Sequence, residues 1–226
     1  MHIVLVRHGE AEPSAATPDW GLSERGARQA RLTGERFVGA GLTHIVSSPL
    51  LRALGTAHII AEAIGQREID VWPDLWEGSD NAYRGAGRGV IEACFPRALL
   101  PTSMPDDGWL YEGDTYASFA ARCQRVLDEF TARFAPDDRV LVVTHGGFAN
   151  HLLHALLRIP PWTPVWFDLA HCSLTTVRLV PEHEREGWPL YPPNEVDILG
   201  MNDVAHLYRP SERCNSCGSL LTAHLT

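Results

Sequence analysis

The sequence predicts an α/β fold: a mainly parallel central sheet with helices on both faces and an irregular lid insertion. Apolar runs and amphipathic segments alternate early in the chain, and a strand–helix–strand–helix order favours parallel strands. The apolar run at residues 2–6 is followed by Arg7 and His8, and the run at 139–144 is followed by His145. Open α/β sheets bind ligands at the carboxyl ends of their parallel strands. We therefore expect His8 and His145 to meet in one site at one edge of the sheet.

Capping signals and hydrophobic periodicity predict the other elements. Ser23 is a favourable N-cap, Pro49 suits a first helical turn, and the apolar residues after Thr115 repeat at helical spacing. We expect helices at about 23–38, 49–64, 115–134 and 148–157, and further strands at about 43–47, 69–72, 174–180 and 196–199.

The chain is expected to form a single domain over residues 1–226. Apolar residues make up 45% of the sequence, which is enough for a core. The segment at about 66–113 is rich in glycine, proline and polar residues, and it interrupts the regular alternation. We predict that it is a lid insertion, and that the tail at about 209–226 is loosely attached.

Composition and charge restrict the class of protein. A formal net charge of −9 argues against nucleic acid or an anionic membrane surface as a partner. No apolar run is long enough to span a membrane, and no basic leader precedes the first strand. Five cysteines without framework spacing are typical of a reducing compartment, so we predict a cytoplasmic protein. The oligomeric state stays open.

The tail contains one Cys-x-x-Cys pair, Cys214 and Cys217. A structural zinc site needs four ligands, and this pair supplies two. His206 and His224 could complete the set, but no spacing requires it. We therefore predict no metal site.

Four stretches, in the right order, resemble motifs of the histidine phosphatase superfamily, which has the phosphoglycerate-mutase-like fold. A fifth stretch, Asn202-Asp203 with His206-Leu207, resembles a common C-terminal end of that fold. The four stretches are Arg7-His8-Gly9-Glu10, the segment 22–30, the segment 47–57 and Val143-Thr144-His145-Gly146-Gly147. The resemblance implies an enzyme that transfers phosphoryl groups without a metal or cofactor.

By this resemblance, His8 is the nucleophile that accepts the phosphoryl group, and Arg7, Arg52 and His145 bind its oxygens. The chemistry agrees, because neutral imidazole attacks phosphorus without a base and planar guanidinium groups bind phosphate oxygens in pairs. A helix that starts at Gly146 and Gly147 adds backbone N–H groups and a favourable dipole. His145 adds a further donor where negative charge develops.

The general acid is expected to be Glu77, because Leu75-Trp76-Glu77 resembles the family's Leu-x-Glu stretch on the lid side. Asp80, Glu112 and Asp114 are kept as alternatives. The sequence departs from many members at two positions of the first motif. Ser14 occupies the place of an asparagine that contacts phosphate, and Ala11 replaces a threonine or serine.

These features predict a metal-independent phosphomonoester phosphatase that acts on a small phosphorylated metabolite through a phosphohistidine. Phosphoglycerate mutase is the first alternative, since the two activities differ in whether water or a bound sugar acid takes the phosphoryl group. A non-catalytic phosphate-binding module is the second. The short segment at 76–113 does not resemble a mutase lid, and His145-Gly146 is unlike the acid phosphatase and phytase branch.

Overall fold

The computed structural model describes residues 1–13, 19–65, 68–160, 163–187, 189–190 and 192–208. Ser14 and the tail with Cys214, Cys217 and His224 lie outside the described residues. The helices are α1 (Glu24–Phe37), α2 (Leu51–Ala63), α3 (Arg88–Cys94), α4 (Tyr116–Arg133) and α5 (Gly146–Leu156). The strands are β1 (His2–Arg7), β2 (His44–Ser47), β3 (Ile69–Val71), β4 (Tyr83–Arg84), β5 (Ala98–Leu99), β6 (Leu110–Tyr111), β7 (Arg139–Thr144), β8 (Leu174–Leu179) and β9 (Val196–Asp203).

Within the described residues, the main sheet has seven strands in the order β5-β3-β2-β7-β1-β8-β9. The pairs β1–β7, β2–β7, β2–β3 and β3–β5 are parallel, whereas β8 and β9 join antiparallel at one edge. This confirms the predicted α/β class with a mainly parallel sheet.

Side chains of β1 alternate between two cores, one on each face of the sheet. Ile3 and Leu5 lie in the core that includes residues of α4 and α5. Val4 and Val6 lie in the core that includes residues of α1 and α2. Helices therefore cover both faces, and the central strands are buried on both sides, as is usual for parallel sheets.

The segment predicted at about 66–113, called the lid segment below, contains the strand expected at about 69–72 and a further strand of the main sheet that was not expected. β3 and β5 extend the sheet beyond β2, while β4 and β6 form a separate antiparallel pair. β5 has two residues, which is too short to show the alternation that marks a strand in a sequence. Among the described residues, no helix is both long and apolar enough to cross a membrane.

The lid is fixed against α4 by a buried arginine. Arg122 is 3% exposed, and its guanidinium lies 4.3 Å from the centre of the Trp76 ring. It donates hydrogen bonds to the carbonyl oxygens of Asp74 (2.8 Å) and Trp76 (2.7 Å) and forms an ion pair with Asp114 (2.6 Å). These contacts hold the peptide that leads into Glu77.

Candidate active site

β1 and β7 bring the two predicted histidines together. The strands pair in parallel with Arg7 opposite Thr144, and the backbone N–H of His8 donates to the Thr144 carbonyl oxygen at 2.8 Å. His145 is the next residue after β7, and the His8 and His145 ring centroids lie 5.1 Å apart. The carboxyl ends of two adjacent strands thus form the site.

The hydrogen bonds of His8 define its tautomer. Nδ1 lies 2.7 Å from the carbonyl oxygen of Gly9, and a carbonyl can only accept, so Nδ1 carries the proton. Nε2 then has a lone pair, and Arg52 donates to it from Nε at 3.2 Å. The Gly9 carbonyl therefore sets the tautomer in which Nε2 is unprotonated, and the Arg52 guanidinium contacts the lone pair of Nε2.

Burial keeps His8 uncharged. The side chain is 7% exposed, and desolvation lowers its pKa well below the usual value, with Arg52 lowering it further. Because the neutral form persists at neutral and mildly acidic pH, the imidazole stays able to attack an electrophile.

Arg7 and Arg52 flank His8 from different elements. Arg7 ends β1, and its Nη1 donates to the Leu169 carbonyl oxygen at 2.6 Å. Its buried Nε–H has no hydrogen-bond partner in the part of the chain that the structure describes. Arg52 lies in the first turn of α2. Two guanidinium groups beside one neutral imidazole are able to bind an anion with several oxygens.

His145 occupies the N-cap position of α5 and is completely buried. Its Nε2 lies 2.7 Å from the Ser48 hydroxyl oxygen, while its buried Nδ1 has no partner among the described residues. Burial lowers the pKa of His145 well below its usual value, and Arg52 and His8 lower it further. The free protein therefore presents His145 as a neutral imidazole.

Glu77 caps helix α5. Its Oε1 accepts from the backbone N–H groups of Gly78 (3.0 Å) and Phe148 (2.9 Å), and its Oε2 accepts from Gly147 (3.0 Å). A carboxylate at a helix N-terminus is stabilised by these donors and by the helix dipole. The lid thus reaches the site through Glu77.

The glycines after His145 have different surroundings from those the sequence suggested. The N–H of Gly147, predicted to bind phosphate, donates to Glu77 instead. A Cβ at Gly147 would lie 2.7 Å from Glu77 Oε1, so a side chain at this position would displace the Glu77 carboxyl group. Gly146 packs against the Arg7 guanidinium, 3.3 Å from Nε to the position of a Cβ. An anion could contact the Gly147 N–H only after Glu77 releases it.

The alternative acids lie in less favourable places. Asp80 and Glu112 are exposed on the lid. Asp114 forms the ion pair with the buried Arg122. Glu77 is the one of these four carboxylates that contacts the first turn of α5 in the described structure.

Sequence reasoning missed Asp19, which joins the lid to the start of α2. It is 1% exposed, and burial raises its pKa. Oδ1 accepts from the Leu51 N–H (2.8 Å) and Oδ2 from the Ala86 N–H (3.2 Å). Leu50, the N-cap residue of α2, has no side chain that can cap the helix. The N–H groups of the first turn therefore need an acceptor from elsewhere in the chain, which the local sequence does not identify.

Sequence reasoning also missed His171, in the loop before β8. Its ring centroid lies 5.4 Å from that of His8, and the side chain is half-buried. No motif or strand-end position marks it in the sequence. The rings of both His145 and His171 therefore lie close to that of His8.

The described residues contain no group of three or more histidine, cysteine or carboxylate side chains that could hold a metal ion. His206, considered earlier as a possible zinc ligand, lies with its Nε2 3.1 Å from the Thr33 hydroxyl oxygen. The tail cysteines are outside the described residues.

A family model for the histidine phosphatase superfamily (branch 1) matches residues 3–188 of the chain. The chain belongs to this superfamily. The match covers Arg7, His8, Arg52, Glu77 and His145, and it confirms the resemblance that the sequence motifs indicated.

Relatives within the superfamily carry different activities in their names. The chain is 31% identical to "Probable phosphoglycerate mutase GpmB" of Serratia proteamaculans, over 93% of this chain and 97% of that protein. A mycobacterial glucosyl-3-phosphoglycerate phosphatase has a similar structure, with a TM-score of 0.57 and 26% identity over 78% of this chain and 89% of that one. Phosphoserine phosphatase from Entamoeba histolytica, with 3-phosphoglyceric acid bound, shares the fold, with a TM-score of 0.62 and 22% identity over 92% and 99%.

Proposed function

We propose that this protein is a metal-independent phosphomonoester phosphatase that acts on a small phosphorylated metabolite through a phosphohistidine on His8. One observation carries the proposal. The Nδ1–H of His8 is held by the Gly9 carbonyl, which leaves an uncharged Nε2 directed at a guanidinium. A phosphoryl group that replaces this contact would have its oxygens beside Arg52.

In the first step, the Nε2 lone pair forms a bond to phosphorus as the bond to the ester oxygen breaks. Arg7 and Arg52 stabilise the charge on the equatorial oxygens. His145, held by Ser48, supplies a further N–H from a fully buried ring. Water then attacks the phosphohistidine, and inorganic phosphate leaves.

Glu77 is the proposed general acid for the leaving oxygen. Its oxygens accept from the backbone N–H groups of Gly78, Gly147 and Phe148, which place the carboxyl group at the start of α5, next to His145. We propose that Glu77 carries the proton that the leaving group needs when the ester bond breaks. It then gives the proton to the ester oxygen and can take one from the attacking water.

Phosphoglycerate mutase remains the second candidate, because a relative named as one is 31% identical over nearly the whole chain. The phosphatase is favoured by the likeness to a glucosyl-3-phosphoglycerate phosphatase at 26% identity. A non-catalytic module is less favoured. Glu77 contacts Gly147, and the preceding Gly146 packs on Arg7, so a carboxylate is close to the anion site.

A screen of phosphorylated metabolites without added metal tests the proposal. We expect release of inorganic phosphate from at least one small ester, with the His8→Ala variant as the blank. Conversion of 3- to 2-phosphoglycerate, with phosphate released from no substrate, would establish the mutase instead. Binding without turnover of any kind would establish the non-catalytic module.

Replacing Arg52 by lysine should lower kcat/KM by on the order of 100-fold, because a point charge cannot reproduce two parallel N–H donors. Steady-state kinetics on the best substrate of the screen measures the loss. The matched control is Arg133→Lys, which changes a half-exposed arginine on α4 and should leave kcat/KM within about twofold of the wild type. Near-normal kinetics in Arg52→Lys would show that Arg52 does not bind the phosphoryl oxygens through paired N–H donors.

Activity should survive prolonged treatment with a chelator, because two guanidinium groups supply the positive charge that a metal provides in other phosphatases. The measurement compares kcat of the untreated protein with kcat of the treated protein after the chelator has been removed. Loss of activity that a divalent ion restores would contradict this prediction.

A further inference from the structure

We propose that His171 is a further substrate-contacting residue of this site: it faces the phosphate bound at His8 and takes up a proton when a phosphate dianion binds. The inference rests on the proposed function for the identity of the ligand. It adds a residue that the sequence motifs do not include, and it specifies the ionic form of phosphate that the site selects.

The position of His171 is fixed by its neighbours in the loop before β8. The next residue, Cys172, donates its N–H to the Arg7 carbonyl oxygen at 2.8 Å and adopts a left-handed backbone with φ +57°. The preceding residue, Ala170, donates its N–H to the Asn202 side chain at 2.9 Å. Both anchors are long-range, so the imidazole is held beside the end of β1.

His171 differs from the other two imidazoles in exposure. His8 and His145 are buried, whereas His171 is half-buried, with its ring 5.4 Å from that of His8. It therefore lies on the more open side of the nucleophile. Of the three rings, it has the smallest desolvation cost for becoming charged. It is still close enough to His8 to face a phosphoryl group bound there.

The charges that face His171 come from three elements. Arg7 on β1 and Arg25 on α1 disfavour its protonation, and Glu10 after β1 favours it. Arg25 and Glu10 form an exposed ion pair at 3.0 Å, and His8 contributes a neutral ring. Burial and these charges lower the pKa of His171 to about 4. At neutral pH, the ring is therefore uncharged in the free protein.

A bound dianion reverses this balance. One unit charge at about 4 Å, in surroundings with an effective dielectric constant of about 20, changes a protonation equilibrium roughly a thousandfold. That is the change needed to protonate His171 at neutral pH, and a dianion carries two such charges. The binding step consumes one proton from solvent and ends with an imidazolium beside the anion. His171 thus selects a doubly charged ligand.

Calorimetry with tungstate tests the inference, because this phosphate mimic stays a dianion at neutral pH and cannot itself take the proton. Titrations in buffers of different ionisation enthalpy give the number of protons taken up per anion bound. We expect about one for the wild type and about none for His171→Asn. The wild-type affinity should fall about tenfold per pH unit near neutrality, while that of His171→Asn should stay nearly flat.

The exposed histidine of the 3₁₀ turn at Glu182–Glu184 supplies the control, since His183→Asn should behave as the wild type does. His171→Gln and the ring NMR signals of His171 in the wild type test the idea without relying on one variant. Equal proton uptake by wild type and His171→Asn, or no uptake or binding by the wild type, would overturn it. Calorimetry measures anion binding and not turnover. A failure of the phosphatase proposal is therefore detected separately, by the metabolite screen.

Discussion

Replacing His8 by alanine is expected to abolish the phosphoenzyme and to lower kcat by about 10⁴-fold or more, since no other group in the site replaces a covalent nucleophile. The buried Nε2 beside Arg52 is the atom removed. Intact mass measured after alkaline quenching should show one added phosphoryl group on the wild type and none on the variant. The quench is alkaline because phosphohistidine is acid-labile.

His8 is 7% exposed, so its truncation also removes a packed ring, and the loss must be separated from misfolding. His8→Asn retains an amide that can donate to the Gly9 carbonyl and serves as the second variant. His183→Ala, at an exposed position, is the control. A phosphohistidine that persists in both His8 variants would mean that the nucleophile is another residue.

Replacing Glu77 by glutamine should slow hydrolysis of alkyl phosphates by roughly 100- to 10,000-fold and largely spare p-nitrophenyl phosphate. An alkoxide leaving group needs a proton, whereas p-nitrophenolate hardly does. The comparison must be made on the step that forms the phosphoenzyme, measured as a pre-steady-state burst. Later hydrolysis of the intermediate is common to both substrates.

Because Glu77 caps α5, its replacement by glutamine should also lower the stability of the protein. A glutamine places an NH₂ group against at least one of the N–H donors of Gly78, Gly147 and Phe148, so the variant should lose about 1 kcal/mol of stability. Thermal unfolding measures this loss, and Asp80→Asn on the exposed lid is the control. Equal kinetic losses on both substrates would assign Glu77 a binding or structural role. Unchanged kinetics on both substrates would indicate that Asp114, Glu112 or Asp80 is the general acid instead.

The sequence by itself determined the fold class and the convergence of the two strand-end histidines. Apolar runs with polar residues at their carboxyl ends are local patterns, and such runs are typical of parallel strands buried on both faces, as β1 and β7 are. Arg52 was recognised because its motif surrounds it in the chain. Each of these features is marked by a short local run of residues, which is why it could be predicted.

Only the tertiary structure decided the details that depend on backbone donors from distant segments. Glu77 is bonded by the N–H groups of α5, and Asp19 by those of Leu51 and Ala86, yet a backbone N–H looks the same in every residue of a sequence. His171 reaches the site because its neighbour is bonded to the Arg7 carbonyl 165 positions earlier in the chain. Such contacts are set by packing across the sheet, and no local pattern records them.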